Sequence, residues 1–405
     1  MKIVHLSTTD LGGAYKAVER IHKGMLQIGV DSVILLRSKY HEESTGQQVI
    51  NNPVSSLISK TKNVFNILRS SGDIISDYYG TDMSSHPDVQ SADAIIVHWC
   101  NSFISYDGVR KLKSLGKPLY VVAHDMWSYT GGCHYDDYCD GYIDGCVDCP
   151  RLPHNKKAIA KGNYQEKVEC YKGVSLICPS NWSVDTARHS DMWKDSDVYR
   201  IYNPLDYDVF HPIRDIDRDE LCRKYNIPNS DKKIILYGAN LALKNTTKGG
   251  NTISDILQGL DRDKVQLVVY GNGDSDRIDN CLIDVTYLGY IRDEKSMAEV
   301  YNLSDVYLAP SKQESFCYTV CEALACGTPV VAYRVGGIAE QVIHKKNGYL
   351  AEYGKLEELC DGLKYCLCES GSIKQSMDTM IGLAVLVNGI KNVADQYIKV
   401  INDAK

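Results

Sequence analysis

The first apolar stretch starts at the second residue. KIVHLS, residues 2–7, reads as a buried strand, a DLGG turn follows, and Ala17, Ile21 and Leu26 then mark a helical face. VDSVILLR, ADAIIVHW, PLYVVAH and VSLICPS are further short apolar runs, with helical stretches in several of the intervals. Strands of this kind, apolar on both faces and separated by helices, predict a parallel sheet covered on both sides. The same grammar repeats from residue 233 in KIILYGA, KVQLVVYG, VTYLGYI, DVYLAPS and PVVAYRV, with helices expected in KSMAEVYNLS and CYTVCEALACG. Between the halves, YNPLDYDVFHPIRDID at 202–217 breaks the rhythm with two prolines and four aspartates, just before a helix expected over 220–225. The fold expected is therefore α/β, with one domain over 1–204 and a second over 205–385. In open parallel sheets ligands bind beyond the carboxyl ends of the strands, so two facing domains would make one interdomain site.

Composition narrows the function. A chain of 405 residues is too long for one ordinary core, which supports the division in two. With 45 basic against 52 acidic residues the net charge is −7, which argues against a nucleic-acid partner. One stretch, SSLISKTKNVFNILRS, is locally basic through Lys60, Lys62 and Arg69. It reads either as a solvated helix face or as a contact for an anionic acceptor or membrane headgroups. The amino terminus enters a strand at once, without the pattern of a secretory signal, and no uncharged apolar run approaches a spanning length. A cytoplasmic protein is expected, with peripheral contact at the inner face of the membrane as the closest approach to lipid.

The sharpest chemical signal is SKQESFCYTVCEALACGTPVVAYRVGG, residues 311–337. A strand should end near Pro310, Glu314 should lie in the turn, and a helix should run from about Phe316 to Cys326, stopped by Gly327. Backbone N–H groups at Phe316, Cys317 and Tyr318 can then hold a diphosphate, because a first helical turn leaves donors unused and its dipole favours negative charge. Glu314 at the helix mouth can accept hydrogen bonds from sugar hydroxyls, and Glu322, two turns in, from ribose hydroxyls. The alternative is that both are solvated helix residues, which the apolar neighbours Val320, Cys321, Ala323 and Leu324 weaken for Glu322.

This segment resembles the E-x7-E signature of the retaining family 4 glycosyltransferases. The resemblance extends to STTDLGGAYKAVERI (7–21), AHDMWSYTGGCHY (123–135), PSNWSVD (179–185) and IYNPLDYDVF (201–210), in family order over nearly the whole chain. It implies two facing Rossmann-like domains of the glycosyltransferase B type and a nucleoside-diphosphate sugar donor with no organic cofactor. Transfer to a glycan or lipid-linked acceptor, with retention of configuration, would follow, as in capsule, exopolysaccharide or lipopolysaccharide assembly. On that pattern Glu322 holds the ribose, Glu314 the transferred sugar, and His124 reaches the sugar near the reacting carbon. Gly12 and Gly13 face diphosphate and acceptor, and residues 386–405 form a helix returning to the first domain. The phosphate clamp departs from the pattern. Ala239 or Asn240 stands where an arginine is usual, leaving Lys248, or failing it Lys244, for the phosphate. Asp125 is placed to orient His124, which is not assigned as a conventional base.

Two matters stay open at this level. Fifteen cysteines suit buried thiols in a reducing compartment, but Cys133, Cys139, Cys146 and Cys149 form a C-x5-C-x6-C-x2-C cluster. One structural zinc, free thiols or two disulfides would each account for it. A sugar-nucleotide epimerase, a sugar phosphorylase or a non-catalytic nucleotide-sugar-binding protein could also use the same frame.

Overall fold

The computed structural model describes residues 1–50, 53–72, 74–228, 231–238, 247–271 and 281–403. Ala239, Asn240 and Lys244 lie outside the described residues. The chain divides into two compact units, one comprising Met1–Pro204 with Ile390–Lys405, the other Leu205–Gly389.

The first unit is built on seven strands: β1 (Lys2–Thr9), β2 (Asp31–Ser38), β3 (Gln47–Gln48), β4 (Ala94–Val97), β5 (Leu119–Val122), β6 (Ser175–Cys178) and β7 (Val198–Arg200). They lie in the order β3-β2-β1-β4-β5-β6-β7, and every pairing is parallel. Alternation along each strand divides the core. Val4, Leu6, Ile95, Val97 and Val121 pack on one side, whereas Ile3, Ala94, Ile96, Tyr120 and Val122 pack on the other. The second side is covered by the helix Gly12–Gln27, through Ile21 and Met25, and by the carboxyl-terminal helix Ile390–Asp403, through Val393, Ala394, Tyr397 and Ile401. A side chain at Gly24 would place its Cβ 2.3 Å from the Ile390 carbonyl oxygen, so glycine lets these two helices touch backbone to side.

The second unit repeats the design with β8 (Lys233–Gly238), β9 (Val265–Tyr270), β10 (Asp284–Gly289), β11 (Val306–Ala309), β12 (Val330–Tyr333) and β13 (Gly348–Ala351). Their order is β10-β9-β8-β11-β12-β13, again all parallel. Each sheet reverses its winding once, at β1/β4 and at β8/β11, the positions where doubly wound sheets bind ligands. Both are Rossmann-like sheets. Helices cap as their sequences prescribe: Asp217 accepts the Glu220 N–H at 2.9 Å and opens Arg218–Lys224, and Asp293 accepts that of Ser296 at 2.8 Å and opens Glu294–Leu303. Among the described residues no helix is long and apolar enough to cross a membrane.

Candidate active site

In the second unit the site grows from the carboxyl end of β11. Glu314 and Glu322 are both buried, at 4% and 2% exposure, which removes the reading of two solvated helix residues. The Lys248 ammonium donates to Glu314 Oε1, an ion pair whose lysine remains one-third exposed. The lysine is held there by backbone. Lys312 N–H donates to the Thr247 carbonyl at 2.8 Å, and Gly249, at φ 74°, lies so close to Pro310 that a Cβ would stand 2.2 Å from the proline oxygen. Only glycine satisfies both demands. Glu322 Oε2 accepts from Tyr301 OH at 3.3 Å, and that hydroxyl also pairs with Tyr270 OH at 2.9 Å. Tyr301 is a contributor that pattern reading had no means to find, since it comes from the preceding helix, 21 positions away.

The helix itself starts later than expected. It spans Tyr318–Ala325, so Phe316 and Cys317 precede it and only Tyr318 of the three diphosphate candidates is helical. The reason is local: Cys317 has φ 73° and ψ 85°, a left-handed conformation that no helical residue adopts. No side chain caps this helix, and its first turn carries no acidic residue, both of which suit an anionic ligand. The turn ahead of it is braced by Gly336 and Gly337. Gly337 N–H donates to the Glu314 carbonyl at 2.9 Å, and a Cβ on Gly336 would stand 1.9 Å from that same oxygen. The glycine pair after β12 was visible in the sequence, but its closeness to Glu314 was not.

In the first unit, β1 runs into Asp10, whose two carboxylate oxygens accept the Tyr40 and His41 N–H groups, each at 2.8 Å. This ties down the turn in which Gly12, at φ 78° with open space around its missing Cβ, begins the helix. Neither a side-chain cap nor an acidic first-turn residue blocks that helix start at Gly12 and Gly13. His124 follows β5 and lines one pocket with His98, Trp99, Asp125 and Trp127. Asp125 does not orient it. Its Oδ2 pairs instead with His134 Nδ1 at 2.7 Å, while Oδ1 accepts the Trp127 N–H at 2.8 Å. Burial works against the His134 cation, but the Asp125 carboxylate outweighs it, so the His134 pKa is raised. His124 is hydrogen-bonded to His98 (Nε2 to Nδ1, 3.0 Å), and burial lowers its pKa to about 4, so it is neutral.

The cysteine cluster falls in the loop after His124. Cys133, Cys139, Cys146 and Cys149 are all unbridged and line a single cavity with Asp136 and Arg151. Gly131 N–H donates to Cys146 Sγ at 3.1 Å, and Gly141 N–H to Cys139 Sγ at 3.4 Å. Among the described residues, however, no three His, Cys, Asp or Glu side chains stand in a metal-holding arrangement.

Residues 217–378 match the family described as glycosyl transferases group 1. The chain is 28% identical over 191 residues to the N-acetyl-alpha-D-glucosaminyl L-malate synthase of Bacillus anthracis, a match covering 46% of this chain and 48% of that protein. It spans about half the length of curated relatives such as this one. Over its whole length it resembles the sucrose-phosphate synthase of Thermosynechococcus elongatus (TM-score 0.70, 16% identity, covering 100% of this chain and 98% of that one). It also resembles the Anabaena protein HepE, solved with UDP-glucose (TM-score 0.68, 16% identity, 100% of both chains). The protein therefore has the glycosyltransferase B-type fold of two Rossmann-like units. The match to glycosyl transferases group 1 lies within its second unit and includes the E-x7-E segment.

Proposed function

We propose that the protein is a retaining glycosyltransferase that moves a hexose-type sugar from a nucleoside-diphosphate donor to a glycan or lipid-linked acceptor. The observation that carries this is the buried pair Glu314 and Glu322 around an uncapped helix start, with Lys248 on Glu314. The reading assigns the ribose to Glu322, the diphosphate to Lys248 and the backbone at Phe316, Cys317 and Tyr318, and the transferred sugar to Glu314. It assigns the acceptor side to the first unit, with the Gly12–Gly13 turn facing diphosphate and acceptor and His124 reaching the transferred sugar near its reacting carbon. As the anomeric bond breaks, charge passes to the departing diphosphate, and fixed donors that meet it there lower the barrier. A leaving-phosphate oxygen can take the acceptor proton on the same face of the sugar, so neutral His124 is not required as a base. Incubation with UDP- and GDP-sugars and candidate acceptors should release nucleoside diphosphate only when acceptor is present. Donor conversion without acceptor would establish an epimerase instead, and dependence on inorganic phosphate with a preformed glycan a phosphorylase. Donor binding with no turnover would leave a binding protein.

We also propose peripheral membrane contact through the helix Pro53–Arg69. Leu57, Ile58, Phe65 and Leu68 are exposed on it by 66%, 51%, 49% and 73%, an unusual apolar display for one helix. Of its basic residues, Lys62 donates to the Gly80 carbonyl and Arg69 lies 4.9 Å from the Tyr78 ring centre, while Lys60 faces solvent. Sedimentation with vesicles of anionic lipid should carry the protein down, and Leu57→Glu with Leu68→Glu should leave it in solution. Wild-type protein that stays in solution would reject the contact.

For the four thiols we propose one structural zinc ion. Their shared cavity and the two N–H donors to sulfur support it, though loading would have to draw the sulfurs together. Burial pushes the Cys133 and Cys139 thiols up and the Cys146 thiol up to about 12, so binding should release protons as thiolates form. Protein purified without added zinc should contain about one equivalent per chain. Metal-free, fully active protein with four titratable thiols in this loop would refute it.

A further inference from the structure

Three histidines step diagonally across three adjacent strands of the first unit: His5 is level with Ile96, so His98 lies two residues further along, and His124 lies two further again, since Ile96 is level with Tyr120. His5 is in β1, His98 follows β4 and His124 follows β5, each two residues beyond Ile3, Ile96 and Val122 and so on the same side of the sheet. Their rings form a continuous chain. His5 Nδ1 meets His98 Nε2 at 2.9 Å, and His98 Nδ1 meets His124 Nε2 at 3.0 Å. The ring centres are 5.2 Å and 5.3 Å apart with interplanar angles of 30° and 27°. His5 and His98 are buried, and His5 Nε2 ends the chain with no hydrogen-bond partner among the described residues.

A chain of neutral imidazoles can be protonated in only two ways, because each contact needs one N–H and one bare nitrogen. Burial keeps the rings neutral: the His5 pKa falls to about 3, that of His124 to about 4, and that of His98 well below its usual value. In one setting every ring carries its proton on Nε2. That leaves a buried His5 N–H with no acceptor, while His124 offers a bare Nδ1. In the other every proton sits on Nδ1. His5 then donates to His98, His98 donates to His124, and the chain ends inside the protein on a bare nitrogen. Among buried backbone groups an orphaned N–H is rarer than an under-satisfied acceptor, and the cluster that packs on this side of the sheet, Ile3, Ile21 and Ile96 among it, is apolar. The nearby His22 is already hydrogen-bonded to Ser32 Oγ at 2.8 Å.

We propose that His5 and His98 are positioning residues that hold His124 in the Nδ1–H tautomer, so that it presents a hydrogen-bond donor to an oxygen of the donor sugar. What His124 faces rests on the glycosyltransferase reading; the tautomer does not. The ring then serves substrate binding as a neutral donor, and it has no bare nitrogen turned outward with which to take a proton from an acceptor hydroxyl.

Nitrogen NMR of the full chain labelled at histidine tests this without substrate, the His124 signals being identified by their loss in His124→Gln. The expected pattern is a protonated Nδ1 and a bare Nε2 on His124. Protonation at Nε2 instead, or at both nitrogens near neutral pH, would overturn the proposal. His98→Phe removes the donor to His124 while keeping a ring in the space. It should yield a mixture of His124 tautomers and lower transfer about tenfold, the loss of roughly one hydrogen bond, with nucleoside-diphosphate affinity unchanged. A folded His98→Phe protein that retains the single Nδ1–H tautomer also overturns it, and if that variant does not fold the wild-type spectrum decides. The expected tautomer in a protein that transfers no sugar would defeat the function proposed above and leave the tautomer assignment standing.

Discussion

Glu314→Gln is expected to lower sugar transfer by about a hundredfold while changing nucleoside-diphosphate affinity far less, because an oriented charge at the reacting sugar acts chiefly in the transition state. Glu314 is buried and paired with Lys248. The amide keeps the shape but offers a weaker acceptor to the sugar hydroxyls and returns Lys248 to the diphosphate, so nucleotide binding should persist. Glu322→Gln should show the opposite split. Its carboxylate has Tyr301 OH as a donor and is assigned to the ribose, so a charge-assisted hydrogen bond is lost before any chemistry, costing about 1.5–3 kcal/mol in affinity. Titration calorimetry with free nucleoside diphosphate, beside initial transfer rates, separates the two. Equal losses in both measurements for Glu314→Gln would place that carboxylate elsewhere, and unchanged affinity in Glu322→Gln would remove it from the ribose.

Much of this architecture could be read from apolar runs because parallel strands buried on both faces are nearly continuous in Val, Ile and Leu, as AIIV in β4 and VQLVVY in β9 show. The strands that escaped are β3, β7 and β13: the first two have two and three residues, too short to show a period, and β13, as long as β4, reads GYLA and lacks the unbroken Val/Ile run that marks AIIV. Glu314 and Glu322 were legible from spacing on one short segment. The start of their helix was not, because nothing in SFCYT announces that Cys317 adopts a left-handed backbone. Longer-range contributors were invisible for a different reason. Tyr301 meets Glu322, Gly336 meets Glu314, and His5 meets His98 only once strand order and register are known, and local periodicity carries neither. Asp125 shows the converse hazard: adjacency to His124 in sequence suggested a partner, but the two carboxylate oxygens point to His134 and Trp127.

Gly336→Ala should abolish donor binding although residue 336 touches no proposed ligand group. Gly336 has φ 46°, and its Cβ would fall 1.9 Å from the Glu314 carbonyl oxygen, 3.0 Å from the carbonyl carbon and 3.3 Å from the Glu314 nitrogen. All three are backbone atoms, so no rotamer change relieves the clash, and the turn carrying Glu314 must move. The left-handed strain alone costs roughly 1–2 kcal/mol, and displacing the turn adds the loss of the Gly337 N–H bond to Glu314. A ligand clamp displaced by about 1 Å can forfeit on the order of a hundredfold in activity. Gly354 provides the control within the same unit: it has φ 82°, yet nothing lies within 4 Å of its missing Cβ. Gly354→Ala therefore carries the strain without the collision, and should lose only about 1–2 kcal/mol of stability while still being stabilised by nucleoside diphosphate. Thermal melts of both variants with and without the nucleotide make the comparison. If Gly336→Ala gains as much from the nucleotide as Gly354→Ala does, the glycine pair does not support the donor site.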